Sequence, residues 1–250
     1  MKNSDLLIGA YIAHRGLHNK EKGIPENSLA AFKRAVDLNI PIELDLHLLK
    51  DGNVAVFHDD NLQRMTGCDR DIKDCTYDEI RDLRLYDTEE RIPLLEEVLR
   101  LVDGRVLLDI ELKNDLPPGQ LEPEVCKLLD SYTGDFVVKA FSPFIVRWFK
   151  KFRPSYIRGQ LSCNFKDNPD MNPITKFICR YMLLNFLTKP DFIAYDISSL
   201  PNGRVARYRH RKMPVLIWTI RSTEALKSAA KYGDGFIFEE PVSPPSQSCD

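Results

Sequence analysis

Apolar runs of four to eight residues alternate with amphipathic stretches of about ten along most of the chain, a pattern that predicts repeated βα units and a parallel sheet. Eight segments read as strands: Leu7 to Ala13, Ile40 to Leu46, Val106 to Leu112, Phe136 to Ala140, Ile157 to Leu161, Phe192 to Tyr195, Val215 to Thr219 and Gly235 to Phe238. Helical patterns fall between most of them, over Ser28 to Leu38, Leu94 to Val102, Glu122 to Leu129, Ile145 to Phe152, Ile174 to Leu187, Arg204 to Arg211 and Thr223 to Lys231. Together they predict a closed (β/α)8 barrel. The alternation breaks after the second strand, where Asp51-Gly52 reads as a tight hairpin turn and Thr76-Tyr77-Asp78-Glu79 as a capping box opening a short helix. Residues 47 to 93 are therefore expected to form a small insertion above one end of the barrel. Twelve residues follow Phe238, among them Pro241, Pro244 and Pro245, so no eighth barrel helix is expected and something else must seal the last strand.

The polar residues inside these strands are spaced in twos. In Ile42-Glu43-Leu44-Asp45-Leu46, Glu43 and Asp45 share one face while the aliphatic residues take the other. Leu108 to Lys113 repeats the pattern with Asp109, Glu111 and Lys113. Unpaired charge on a buried face is very costly, so a cation or cationic side chains must neutralise these acids. Ala13-His14-Arg15-Gly16 and Phe57-His58-Asp59 each set a histidine where an apolar strand stops. All of these groups fall at the carboxyl ends of strands, the face on which barrel enzymes build their sites. Three carboxylates without cysteine or clustered histidine ligands suit Mg²⁺, Ca²⁺ or Mn²⁺ rather than Zn²⁺. The alternative is a buried ion network of Glu43, Asp45 and Glu111 with Arg15 and Lys113.

Composition narrows the class. With 250 residues, 43% hydrophobic and 29% charged, the chain is expected to form one barrel domain over 1–250. Its 35 Lys and Arg against 37 Asp and Glu give a net charge of -2, which supplies no global pull toward nucleic acid or anionic lipid. The six cysteines, Cys68, Cys75, Cys126, Cys163, Cys179 and Cys249, form no C-x-x-C pair, so reduced structural thiols and a cytoplasmic location are expected. Leu6 to Ala13 is too short for a secretory segment. Phe177 to Leu187 is apolar around most of a helix but too short to span a bilayer. It is expected to be buried on the barrel, with a homodimer contact or a shallow membrane contact as alternatives. His18, His47 and His210 are weaker site candidates.

In order along the chain, His14-Arg15-Gly16, Pro25-Glu26-Asn27-Ser28, Glu43-x-Asp45, His58-Asp59, Leu62-x-Arg64-x-Thr66-Gly67, Glu111-x-Lys113, Trp218-Thr219 and Asp234-Gly235-Phe236-Ile237 resemble the glycerophosphodiester phosphodiesterase family. The resemblance implies a TIM-type barrel with one divalent cation, commonly Mg²⁺ or Ca²⁺, held at Glu43, Asp45 and Glu111. It also implies a histidine pair at His14 and His58, and cleavage of glycerophosphodiesters to sn-glycerol 3-phosphate and an alcohol such as choline or ethanolamine. On this reading Arg15 and Lys113 face the phosphate, unless Arg15 instead orients Glu26, and Trp218 walls the pocket against glycerol carbons. His14 is read as base and His58 as acid. Attack by the substrate's own 2-hydroxyl and attack by water both remain open. Lysophospholipids at a lipid surface are the alternative substrate, and a catalytically idle phosphate-ester-binding barrel is the non-enzymatic alternative. The chain departs from the family in its long Leu17 to Ile24 loop, and in Ile220-Arg221 and Phe238-Glu239-Glu240 where relatives often carry Val-Asn and Thr-Asp-Arg.

Overall fold

A computed structural model describes residues 4–113, 116–166, 168–169, 171–240 and 242. Nine strands form one sheet: β1 Tyr11–Ala13, β2 Ile42–Leu48, β3 Val54–Val56, β4 Leu108–Leu112, β5 Phe136–Ala140, β6 Arg158–Ser162, β7 Phe192–Asp196, β8 Val215–Ile220 and β9 Gly235–Phe238. Their order is β1-β9-β8-β7-β6-β5-β4-β2-β3, and an added β1–β2 pairing closes the ring. All neighbours in the ring run parallel, while β3 folds back antiparallel on β2. The result is a closed eight-stranded parallel barrel with one extra strand. The helices are α1 Leu29–Asp37, α2 Gln63–Thr66, α3 Tyr77–Ile80, α4 Leu95–Val102, α5 Leu121–Leu129, α6 Pro143–Phe152, α7 Pro173–Arg180, α8 Asn185–Thr188, α9 Gly203–His210 and α10 Thr223–Ala229. None is long and apolar enough to cross a membrane.

The strands are buried on both faces because helices cover the outside and side chains fill the lumen. In α4 the buried set is Leu95, Val98, Leu99 and Val102, the spacing of a helix that seats one stripe on the sheet. Inside the barrel, Leu7, Ile12, Val137, Leu161, Phe192, Leu216 and Ile237 pack as a separate cluster. The insertion carries a core of its own, with Leu49, Phe57, Leu62, Met65, Ile72 and Ile80. Its hairpin forms at Asp51-Gly52, where Gly52 takes φ 87° and the Leu49 N–H donates to Asn53 O at 2.8 Å. The Thr76 N–H donates to the Glu79 carboxylate at 2.8 Å at the start of α3.

Three expectations need correction or limits. The first strand does not begin at Leu7: Ser4–Leu7 is a 3-10 turn, and Gly9 at φ 76° bends the chain so that Leu7 is buried in the lumen cluster. This turn packs closely against the start of the last strand, where a Cβ on Gly235 would lie 2.4 Å from Leu7 O. The stretch Ile174 to Leu187 is not one helix. It breaks into α7 and α8 around Met182 at φ 49°, and Phe177 and Phe186 are exposed rather than buried. Among the described residues no helix follows β9; Pro241, Pro244, Pro245 and Cys249 lie outside them.

Candidate active site

The register of β2 on β4 sets Glu43 opposite Asp109 and Asp45 opposite Glu111, and that of β4 on β5 sets Glu111 opposite Lys139. One oxygen from each of Glu43, Asp45 and Glu111 lies within 4.8 Å of the others, and all three residues are buried. The expected cluster and the expected ion network both exist. The Lys113 Nζ reaches Asp45 Oδ1 and Glu111 Oε1 at 2.7 Å each, and the Lys139 Nζ reaches Asp109 Oδ2 at 2.7 Å and Glu43 Oε1 at 3.2 Å. Burial pushes the Asp45 carboxyl upward, but Lys113, His58 and Arg15 outweigh it and hold the group well below its ordinary range. At Asp109, deeper among carboxylates, burial prevails over Lys139 and the pKa rises to about 6. The three exposed-to-cavity carboxylates are hard oxygen donors converging from two adjacent strands, and they fit one divalent cation of the Mg²⁺ or Ca²⁺ kind.

The His14-Arg15-Gly16 turn brings cations over this floor. Arg15 takes φ 54° and Asn27 φ 53°, and each holds a carboxylate from that conformation. The Arg15 backbone N–H donates to Glu43 Oε2 at 2.9 Å, and Asn27 Nδ2 donates to Asp45 Oδ2 at 2.9 Å. Gly16 is needed for the close approach, since a Cβ there would lie 2.9 Å from the side chains of Ala31 and Phe32. The Arg15 guanidinium donates to Glu26 Oε1 at 2.6 Å and stands 3.5 Å from Asp45, so it serves the carboxylate cluster and Glu26 together.

Each histidine is held from behind by a carboxylate. The His14 Nδ1 lies 2.7 Å from Glu239 Oε1, and Arg221 donates to the same carboxylate at 2.7 and 3.0 Å. Burial alone would raise the Glu239 pKa, but the bonds from His14 and Arg221 bring it down to about 2. The His58 Nδ1 lies 2.6 Å from Asp59 Oδ1, and Arg64 Nε donates to Asp59 Oδ2 at 2.5 Å. Burial is again outweighed, here by His58 and Arg64, and Asp59 is held far below its ordinary range. Arg64 also donates to Glu26 Oε1 at 2.7 Å. Ionised carboxylates only accept, so Nδ1 carries the hydrogen on both rings and Nε2 is the atom left for proton transfer. The buried His47 completes the frame, its Nε2 donating to the His58 carbonyl at 3.2 Å.

A cavity of about 360 Å³ opens here, and every expected site residue except Glu26 lines it: His14, Arg15, Glu43, Asp45, His58, Glu111, Lys113 and Trp218. Glu26 lies behind, between Arg15 and Arg64. Sequence reasoning passed over Lys139, quoted Asn27, Asp59 and Arg64 only as parts of motifs without a role, and noted Arg221 and Glu239 only as departures from the family pattern. For Lys139 the available signal was a single lysine in the apolar run Phe136-Val137-Val138-Lys139-Ala140. Of the weaker histidines, His18 sits near enough to feel Glu239 and His14, with burial lowering its pKa.

The closed barrel thus brings two carboxylate-held histidines, a buried carboxylate cluster and fixed cations to one cavity. The model of the glycerophosphoryl diester phosphodiesterase family matches residues 14–242, and the chain belongs to that family and is a phosphoric diester hydrolase. It is 38% identical over 244 residues to a glycerophosphodiester phosphodiesterase of Caldanaerobacter subterraneus subsp. tengcongensis, covering 92% of this chain and 93% of the relative. A lysophospholipase D of Homo sapiens is 33% identical over 142 residues, 51% of this chain and 43% of that one. The fold matches that of an Oleispira antarctica phosphodiesterase solved with sn-glycerol-3-phosphate, with TM-score 0.75 and 23% identity over 93% of each chain.

Proposed function

We propose that the chain acts as one unit that hydrolyses small glycerophosphodiesters to sn-glycerol 3-phosphate and an alcohol, with one divalent cation at Glu43, Asp45 and Glu111. The observation that carries this reading is the pair of carboxylate-held histidines on the wall of a cavity floored by that cluster. Bound there, the cation would supply Lewis-acid stabilisation of charge on the phosphoryl oxygens. Lys113 and Arg15 bring fixed positive charge to the same oxygens. His14 Nε2 takes the proton from the attacking oxygen, either the substrate's 2-hydroxyl or water. As the bond from phosphorus to the alcohol oxygen breaks, His58 gives that oxygen a proton. If the 2-hydroxyl attacks, the product is a cyclic phosphate, and water opens it with the proton transfers reversed. Trp218 walls the glycerol side; its indole N–H has no protein partner.

Family membership and the size of the cavity, at the small end of ligand sites, support soluble diesters as substrates. The free thiols of Cys68, Cys75, Cys126 and Cys179 support a reducing, cytoplasmic compartment. Hydrolysis of glycerophosphocholine, glycerophosphoethanolamine and a lysophosphatidylcholine, each with and without EDTA and with Mg²⁺, Ca²⁺ or Mn²⁺ restored, tests the reading. Higher kcat/KM on the glycerophosphodiesters, lost with EDTA and regained with one of the metals, is expected. A preference for the lysolipid would move the substrate to a lipid surface, and no turnover with any metal would make the barrel an idle phosphate-ester binder.

A further inference from the structure

The helix α7 has an apolar face that nothing in the described chain covers. None of its eight residues is buried, and Ile174 and Phe177 are 73% and 57% exposed. A helix this short is marginal in water without packing, and apolar groups exposed in this way mark contact surfaces. Its place is the barrel mouth. Ser162 Oγ, at the carboxyl end of β6, donates to Cys179 O at 2.9 Å, and the Tyr195 hydroxyl, near the carboxyl end of β7, donates to Arg180 O at 3.2 Å. Phe144, 59% exposed, lies in the first turn of α6, just past the carboxyl end of β5. The rim is continuous with the cavity: the Phe141 ring meets Trp218 at 5.9 Å and Phe165 at 6.0 Å, and Phe141 and Trp218 both line the cavity.

Charge identifies what this rim fits. The whole chain carries -2, and residues 141–189 hold nine Lys and Arg against two Asp and no Glu; five of these cations, Lys150, Lys151, Arg153, Arg158 and Lys189, stand toward the amino ends of β6 and β7, which leaves Arg147, Lys166, Lys176 and Arg180 on the rim segments. Arg147, Lys166 and Lys176 stand on the same segments as the apolar residues. A second copy meeting this face in a two-fold contact would set the same cations against each other. An anionic bilayer complements both features, offering negative headgroups to the lysines and arginines and acyl chains to the apolar side chains. We propose that the β5–β7 rim, which carries the exposed Phe144, Ile174 and Phe177 together with Arg147, Lys166 and Lys176, docks on an anionic phospholipid surface beside the active-site mouth. This uses no step of the hydrolytic reading.

Cosedimentation of the full chain with vesicles of phosphatidylcholine alone, or of phosphatidylcholine with phosphatidylglycerol, tests it without substrate. Partition onto the anionic vesicles is expected to exceed that onto the neutral ones by at least about tenfold and to weaken with salt. Ile174→Glu/Phe177→Glu should lose that binding by about tenfold or more and keep wild-type kcat/KM on soluble glycerophosphocholine, which also shows that the variant is folded. Lys166→Glu/Lys176→Glu should lose the preference for anionic vesicles. Equal partition onto both vesicle types, or binding undiminished in Ile174→Glu/Phe177→Glu, would overturn the proposal. So would a dimer in sedimentation velocity that this variant dissolves, because the face would then belong to a second copy.

Discussion

The arm that holds His58 is made of seven consecutive residues, His58 to Arg64, whereas the arm that holds His14 comes from three strand ends. Asp59 and Arg64 follow His58 directly and rest on the insertion's own core of Phe57, Leu62 and Met65. His14 follows β1, Glu239 follows β9 and Arg221 follows β8, three neighbours in the ring. The β1–β9 pairing that joins the first and last strands is therefore the contact that brings His14 to Glu239. Both arms end in the same chemistry, an imidazole whose Nδ1 hydrogen is held by an ionised carboxylate with an arginine behind it. One imidazole is held by a local motif, the other by closure of the barrel.

The largest effects should come from the rings themselves. His14→Ala and His58→Ala should each lower kcat by roughly 10² to 10⁴, with smaller changes in KM, in steady-state assays on glycerophosphocholine. Near-wild-type turnover in either would remove that arm from the reaction. Next come the carboxylates. Asp59→Asn and Glu239→Gln should each lower kcat by about 10-fold to 10²-fold, because the amide can present its NH₂ to Nδ1 and favour the other tautomer.

That difference in construction also decided what the sequence could disclose. Glu43 with Asp45 and Asp109 with Glu111 were legible because strand side chains repeat every two residues. The His58 and His14 turns were legible as polar residues where apolar runs stop. Glu239 and Arg221 stood out only as departures from the family pattern, since nothing local ties a glutamate to a histidine 225 positions away. Lys139 needed the β4–β5 register to show its partner. The barrel emerged from its alternation, but the break at Met182 carries no glycine or proline to announce it. Whole-chain charge, finally, hid the basic segment 141–189 within a nearly neutral total.

The arginines sharpen the contrast on a smaller scale. Arg221 is 63% exposed, and exposed ion pairs contribute roughly 0 to 1 kcal/mol. Arg221→Ala should therefore cost at most about fivefold in kcat. Arg64 is 41% exposed and binds Asp59 and Glu26 together, so Arg64→Ala should cost more, with a lower Tm as the insertion loses its tie to the barrel. Equal losses would mean that the two arms are braced alike.

The smallest effect lies in acid stability. Glu239 has its pKa depressed from 4.5 to about 2, so its stabilising contribution is full above about pH 4.5 and lost as the pH falls toward about 2. Thermal melts of wild type and Glu239→Gln should show a Tm gap that is constant above this window and shrinks within it. A gap that widens on acidification would reverse the sign and contradict the assigned contacts.

The central claim, that each carboxylate acts through the histidine it holds, is tested most directly by two double-mutant cycles read as kcat on glycerophosphocholine. Glu239→Gln should change little in a His14→Ala background, and Asp59→Asn little in a His58→Ala background, while each lowers kcat in the wild-type enzyme. Losses that multiply independently in both cycles would contradict the account.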